Sequence, residues 1–281
     1  MERCESVSEL SSLYSIFIID QWGVLHDGAV ATADAIKSIE YLKRQQKLVA
    51  VLTNSGKSYR SNIARLGEFG YRSDQFDLVL TSGDIAIEFI KKNYFGTKIY
   101  WIDEKKDFNE LSEIGENVLV DRIDLADLIY LSGWNEQIME WDVYVQILAQ
   151  AAKNNTPMIC SNPDIEGFSN GRRDKAPGWI AERFAEMGGN VRLFGKPNKS
   201  MFEICLSRLG VKDPQLAIVI GDSFRTDICG AANAGIASVL IESGLHRDLF
   251  EHENVDVALK QLSRQYSDGF VKPNYVMRRL R

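Results

Sequence analysis

Five residues have types and spacing that could handle phosphate and a hard cation: Asp20, Thr53, Lys196, Asp222 and Asp227. The first four come just after short apolar, β-branched runs. IFII (16–19) runs into Asp20, VAVL (49–52) into Thr53-Asn54-Ser55, VRLF (191–194) into Gly195-Lys196-Pro197, and AIVI (217–220) into Gly221-Asp222-Ser223, with Asp227 five residues beyond Asp222. An Asp at a strand end, taken alone, is as often a helix cap or a turn residue. If these strands lie side by side, their exits bring together carboxylates, a hydroxyl and an ammonium. Facing carboxylates repel unless a cation sits among them, and an all-oxygen donor set suits Mg²⁺. Lys196, the Thr53 hydroxyl and the backbone N–H groups of the Asn54-Ser55-Gly56 turn supply what a dianionic phosphoryl group needs.

The elements that must position these residues alternate along the chain. Further apolar runs occur at DLVL (77–80), KIYWI (98–102), LIYLS ending at 132, PMIC ending at 160 and SVLI ending at 241. Stretches with helical spacing lie between most of them; in residues 32–46, Ile36, Ile39 and Leu42 recur on one face. Strand–helix alternation predicts an α/β fold, a doubly wound parallel sheet with its ligand at the carboxyl ends of the strands. At 281 residues, the length fits two modest domains or one large one. No Pro- or Gly-rich linker is visible, so a second domain is expected as an insertion between elements.

Composition narrows the function. Hydrophobic residues at 45% and charged residues at 26% are those of a folded protein. A net charge of −6, without a long basic run, argues against nucleic acid as a partner. The four cysteines (4, 160, 205, 229) and three histidines (26, 246, 252) form no ligand-spaced cluster, which argues against a zinc site or a disulfide framework. Residues 1–12 lack a leader pattern and no apolar run is long enough for a membrane span, so the expected setting is cytoplasmic, with no membrane partner. FGKPNKS at 194–200 is not a phosphate-binding P-loop, because Pro197 stands where Ser or Thr is required, and no G-x-G-x-x-G follows the first strand.

The segments DQWGVLHDG (20–28), VLTNSG (51–56), FGKPN (194–198) and GDSFRTD (221–227) resemble, in order, motifs one to four of the haloacid dehalogenase superfamily. A roughly 100-residue insertion between motifs two and three resembles the α/β cap of the subclass typified by ribonucleotide and p-nitrophenyl phosphate phosphatases. The resemblance implies a core of 1–81 plus 187–281 with a Rossmann-like sheet, and a cap of 82–186. It implies that Asp20 is the nucleophile, taking a phosphoryl group as an aspartyl-phosphate. Asp20, Asp222 and the backbone carbonyl of Trp22 would hold Mg²⁺, with Asp227 either ligating through water or orienting Lys196. Thr53 and Lys196 would bind the transferred group of a small phosphorylated metabolite, a sugar phosphate or nucleotide. Asn162 and Asp164, in the Ser161-Asn162-Pro163-Asp164 segment, either face the substrate with Asn54 and Ser55 or form a turn. The resemblance leaves a homodimer open.

One position departs from the pattern. Phosphatases of this superfamily read D-x-D-G, and the second Asp is the general acid and base; here Trp22 takes its place. A positioned proton donor contributes roughly 10²–10⁴ in rate, so its loss bears hardest on poor leaving groups. Three readings stand: a phosphatase with another acid, a slow phosphatase favouring aryl and acyl phosphates, and a phosphate-binding or regulatory protein. Dehalogenation ranks below them, since dehalogenases have an aromatic residue here but do not need Mg²⁺, which the acidic fourth motif is suited to bind. His26 and Asp27 either supply the proton or form an Asp-Gly turn, with turn chemistry favouring the latter. Trp134 is expected in packing, as are Tyr100 and Trp101, and the Arg172, Arg173 and Lys175 cluster as a solvated loop.

Overall fold

Alternate residues of the central strands are buried on opposite sides, so both faces of the sheet must be covered. The computed structural model describes all residues except 33, 106–116, 170, 171 and 268, and for 168, 169, 172 and 173 the backbone alone. The strands are β1 (Glu2–Arg3), β2 (Ile16–Ile19), β3 (Leu48–Thr53), β4 (Leu78–Thr81), β5 (Lys98–Ile102), β6 (Val118–Val120) and β7 (Leu128–Leu131). They continue with β8 (Met158–Cys160), β9 (Glu166–Ser169), β10 (Arg172–Lys175), β11 (Val191–Leu193), β12 (Ala217–Gly221), β13 (Ala237–Ile241) and β14 (Tyr275–Met277). The chain forms two units: Met1–Thr53, Ile63–Leu80 and Lys196–Arg281 make the first, and Asn54–Asn62 with Thr81–Gly195 make the second.

The first unit holds a seven-stranded sheet in the order β1-β14-β13-β12-β2-β3-β4. β12 pairs in parallel with both β13 and β2, and β2 in parallel with β3. From β2 the chain moves outward through β3 and β4, and from β12 outward through β13 and β14. The β2/β12 boundary is therefore the switch point, where ligands of such sheets bind. Phe17, Ile19, Val51 and Ile220 pack on one face with Leu10, Ile39 and Leu42 of the helices Val7–Leu10 and Ala35–Arg44. On the other face Leu240 and Val276 pack with Phe224, Leu259 and Leu262, the last two from the helix Val255–Tyr266. Each such fully buried side chain contributes about 1.5–3 kcal/mol of transfer free energy, which commits the register of every strand.

The second unit has a five-stranded sheet, β11-β8-β7-β5-β6, and a two-stranded antiparallel ribbon of β9 and β10. Ile102, Leu131 and Cys160 face Leu148, Ile180 and Phe184 of the helices Trp141–Lys153 and Pro177–Glu186. Ile99, Trp101 and Tyr130 face Ala86 and Ile90 of the helix Ser82–Asn93. Trp134 lies in the first of these clusters and Tyr100 packs against it, so the packing reading of Trp134, Tyr100 and Trp101 holds. The side chains of Arg172 and Arg173 lie outside the described residues. Among the described residues no helix is long and apolar enough to cross a membrane.

The expected boundaries need two corrections. β11 pairs in parallel with β8, so residues 187–195 belong to the second sheet rather than to the core. Lys196 thus does not leave a core strand; it is the first residue of the first unit after the chain returns, just before the helix Lys199–Arg208. A short apolar run such as VRLF fits an edge position in either sheet, and nothing local distinguishes the two. Residues 54–62, expected in the core, also belong to the second unit.

Candidate active site

The first unit brings five of the expected residues to one place. Ile19 pairs with Val51 and with Ile220, so Asp20, Thr53 and Asp222 stand at the exits of three adjacent strands. Lys196 Nζ donates to Asp20 Oδ1 at 2.7 Å and to Asp227 Oδ1 at 2.7 Å. Ligand oxygens of Asp20, Asp222 and Asp227 lie within 4.8 Å of one another. Asp227 sits on the π-helical turn Phe224–Ile228, opened by Ser223, whose side chain accepts from Thr226 N. Its second oxygen, Oδ2, accepts from Ser223 N at 3.1 Å, so both of its oxygens are engaged, as a residue that orients Lys196 requires.

Glycines make room for Asp222. Gly23 has φ 75°, and a Cβ there would meet the Asp222 carboxylate; a Cβ on Gly244 would meet the same side chain from the loop after β13. Asp222 Oδ2 accepts from Leu245 N at 2.8 Å, and among the described residues Oδ1 has no hydrogen-bond donor. This cradle is the part of the site that sequence reasoning missed; the Ser-Gly pair at the exit of β13 was its signal.

The electrostatics follow from burial. Desolvation pushes the Asp20 carboxyl up to about 7, with Asp227 adding to the rise and Lys196 opposing it. Burial likewise raises Asp222, reinforced by Asp20 and Asp227. For Lys196, burial works against the charge, but Asp20 and Asp227 outweigh it and raise its pKa. Three carboxylates and one ammonium carry −3 + 1 = −2 when ionised, a charge that a divalent cation would balance. The oxygen-only donors and the donor-free Asp222 Oδ1 fit a hard ion such as Mg²⁺. The Asp20 side chain keeps 12% exposure against 1% for Asp227, so of these two only Asp20 is reachable by an incoming group.

The segment after Asp20 forms a tight flap. Asp27 Oδ1 accepts from Ala29 N at 2.9 Å and from Val30 N at 2.8 Å, which is the turn reading of Asp27. These bonds hold its carboxyl below the usual range. His26 is fully buried, and desolvation, reinforced by the nearby Arg65 charge, pushes it down to about 4. Its Nδ1 accepts from Gly28 N, so the neutral ring carries its hydrogen on Nε2, 3.1 Å from the Gln21 amide. That hydrogen needs an acceptor, so the Gln21 amide is assigned with Oε1 facing it. Neither His26 nor Asp27 is placed to donate a proton. Trp22 folds onto the flap: its ring meets His26 edge-on at 4.7 Å and lies against Gly28.

The remaining expected residues lie in the second unit. Asn54 Nδ2 donates to Asp164 Oδ1 at 2.9 Å, joining two of them. Asn162 Oδ1 accepts from Asp164 N, the turn reading of that segment. Ser55 Oγ accepts from Lys57 N and from Asn62 Nδ2, within its own loop. The same unit buries a polar network that sequence reasoning did not foresee. Trp101 donates to Ser132, Ser132 to Asp103, and Lys57 to both Asp103 oxygens.

Comparison with known proteins agrees with this geometry. A family model described as haloacid dehalogenase-like hydrolase matches residues 17–117, and one described as HAD-hydrolase-like matches residues 193–263. The chain is 26% identical over 272 residues to the sugar-phosphatase AraL of Bacillus subtilis, covering 90% of this chain and 94% of that protein. It is 24% identical over 243 residues to the human phospholysine phosphohistidine inorganic pyrophosphate phosphatase, covering 84% of this chain and 85% of that protein. A haloacid dehalogenase-like hydrolase from Brucella suis shares the fold, with a TM-score of 0.83 at 24% identity, covering 99% of this chain and all of that one (100%). The first model matches the stretch that carries Asp20 and the second the stretch that carries Lys196 and the acidic turn, and the chain belongs to the haloacid dehalogenase-like hydrolases.

Proposed function

We propose that this chain is a Mg²⁺-dependent phosphatase of a small phosphorylated metabolite, working through an aspartyl-phosphate on Asp20. The observation that carries the reading is a partly exposed Asp20 held at 2.7 Å by Lys196, which Asp227 fixes in turn at 2.7 Å. The phosphatase names of the full-length relatives point the same way, and sugar phosphates are the class that one of those names suggests.

An Asp20 oxygen attacks phosphorus in line with the leaving oxygen, whose bond to phosphorus breaks. Lys196 then faces the equatorial oxygens that carry the developing charge, together with the Thr53 hydroxyl at the neighbouring strand exit. Asp227 keeps the Lys196 ammonium aimed. Water afterwards attacks phosphorus, releases phosphate and frees the Asp20 carboxylate. Asp20, Asp222 and the backbone carbonyl of Trp22 would hold Mg²⁺, which supplies charge neutralisation for the phosphoryl group. Asn54, Asp164, Ser55 and Asn162 are proposed as contacts to the rest of the substrate. Trp22 has no proton to give, and His26 and Asp27 are committed to the flap, so good leaving groups are favoured.

Quenched-flow hydrolysis of p-nitrophenyl phosphate with Mg²⁺ tests the reading. The wild type is expected to show phosphate covalently held on the protein, and Asp20→Asn to lose both that label and at least roughly 10³-fold in kcat/KM. Turnover retained by Asp20→Asn would overturn it. Binding of beryllofluoride by the wild type with no turnover would favour a phosphate-binding protein instead.

A further inference from the structure

Arg65 lies on the helix Tyr59–Glu68 and projects over the flap. Its guanidinium carbon sits 4.7 Å from the centre of the Trp22 ring and 5.7 Å from that of Phe69, and Phe69 in turn stacks on His26 at 4.4 Å. One nitrogen donates to the Gly28 carbonyl at 3.3 Å, while Nε is buried with no acceptor. Among the described residues no carboxylate pairs with this guanidinium. Apart from these ring faces and the Gly28 carbonyl, the half-buried cation has no counter-charge among the described residues, and such a group gains from an anionic partner. Here it is held on the ring that stands two residues after the nucleophile, and the residue between that ring and the rest of the flap, Gly23, is packed on Asp222. A permanent positive charge is therefore held on the side chain of Trp22, the residue that stands in the place of the expected proton donor.

A guanidinium cannot serve as a general acid, because it does not release its proton in a protein. It can hold an anion, best a planar carboxylate or a phosphate, through paired N–H donors. We propose that Arg65, stacked on Trp22, is a specificity-determining residue that receives the leaving group as an anion, so that the substrates are acyl phosphates or phosphoric anhydrides. The inference rests on the phosphatase reading above and puts acyl phosphates and anhydrides ahead of the sugar phosphates that a relative's name suggests. The step balances without a proton: the Asp20 oxygen forms its bond to phosphorus, the bond from phosphorus to the leaving oxygen breaks, and the electron pair stays on that oxygen. The departing group is then a carboxylate or a phosphate, with its new negative charge facing Arg65. An alkyl ester would leave as an alkoxide, which a cation alone stabilises too little at neutral pH.

The test compares wild type, Arg65→Gln and Arg65→Lys by single-turnover hydrolysis of acetyl phosphate, pyrophosphate, glycerol phosphate and a graded series of substituted phenyl phosphates. Arg65→Gln keeps a planar side chain and guards against simple misfolding, which a thermal melt also monitors. The wild type is expected to prefer acetyl phosphate or pyrophosphate over glycerol phosphate. Arg65→Gln should lose roughly 10–100-fold on those two, and its rates should depend more steeply on leaving-group basicity. Arg65→Lys should recover part of the loss. An equal loss on every substrate with an unchanged slope, or no loss, would overturn the role of Arg65 and leave the phosphatase reading standing. A wild type that cleaves none of these compounds and carries no label on Asp20 would overturn both.

Discussion

Lys196 is the residue whose environment is most one-sided. Its side chain is 2% exposed and bonded to two carboxylates, so removing it leaves Asp20 and Asp227 facing each other without a counter-charge. Breaking one partner out of a buried ion network costs about 3–5 kcal/mol, more than the pair itself contributes. Lys196→Met, which keeps most of the volume, is therefore expected to lose about that much stability in urea unfolding when a chelator is present. Added Mg²⁺ should restore part of it, and a variant as stable as the wild type in chelator would contradict the pairing. At this scale the sequence was informative about identity and weak about geometry. Asp20, Asp222, Asp227 and Lys196 meet as their types suggested, but the reason expected for Lys196, a core strand ending in it, is replaced by its position at the chain's return from the second unit.

The elements around the cluster were legible in proportion to their apolar character. β2 and β5 coincide with their apolar runs, β7 and β8 lie within theirs, and β3, β12 and β13 extend past theirs by a residue at one end or both. The strands that the pattern did not reveal are β1, β6, β9, β10 and β14, most of them short, at sheet edges or polar, where burial imposes no alternation. β11 was visible as a strand, though its sheet was not, since register with a partner 33 residues away (Val191 with Met158) is a tertiary fact. The flap was half legible: Asp27-Gly28 marked a turn, whereas the closeness of Gly23 to Asp222 depends on a strand two hundred positions later. Gly23 has φ 75°, and a side chain there would displace the Asp222 carboxylate. Gly23→Ala combines about 1–3 kcal/mol of backbone strain with a displaced ligand. Isothermal titration with Mg²⁺ should show weaker binding by at least roughly tenfold; unchanged affinity would mean that Asp222 is not a ligand.

For the whole molecule the buried charges make stability depend jointly on pH and metal. Asp20 is ordinarily near 3.8 when unfolded and is raised to about 7, so between those values the folded chain holds the extra proton and stability falls as pH rises. His26 is ordinarily near 6.5 and is lowered to about 4, so the unfolded chain holds the extra proton there and stability falls as pH drops. The two slopes oppose each other in chelator. Bound Mg²⁺ favours ionised carboxylates and removes the Asp20 slope, leaving that of His26. The gain in Tm from pH 5 to pH 7 is therefore expected to be larger with Mg²⁺ than with EDTA, by scanning fluorimetry at both pH values; an identical gain would count against metal binding at these carboxylates.

Lys196 and the Asp20 carboxylate it neutralises are separated by 176 positions, and β2 is flanked by β3 on one side and by β12 on the other. On the ribosome, the aspartate strand emerges early while its ammonium counterpart and acidic companions are still untranslated. A nascent chain therefore holds a lone carboxylate with neither counter-charge nor ion cage, and the cluster is completed only once β12 docks beside β2. Chains cut short before residue 227 would lack the completed cluster.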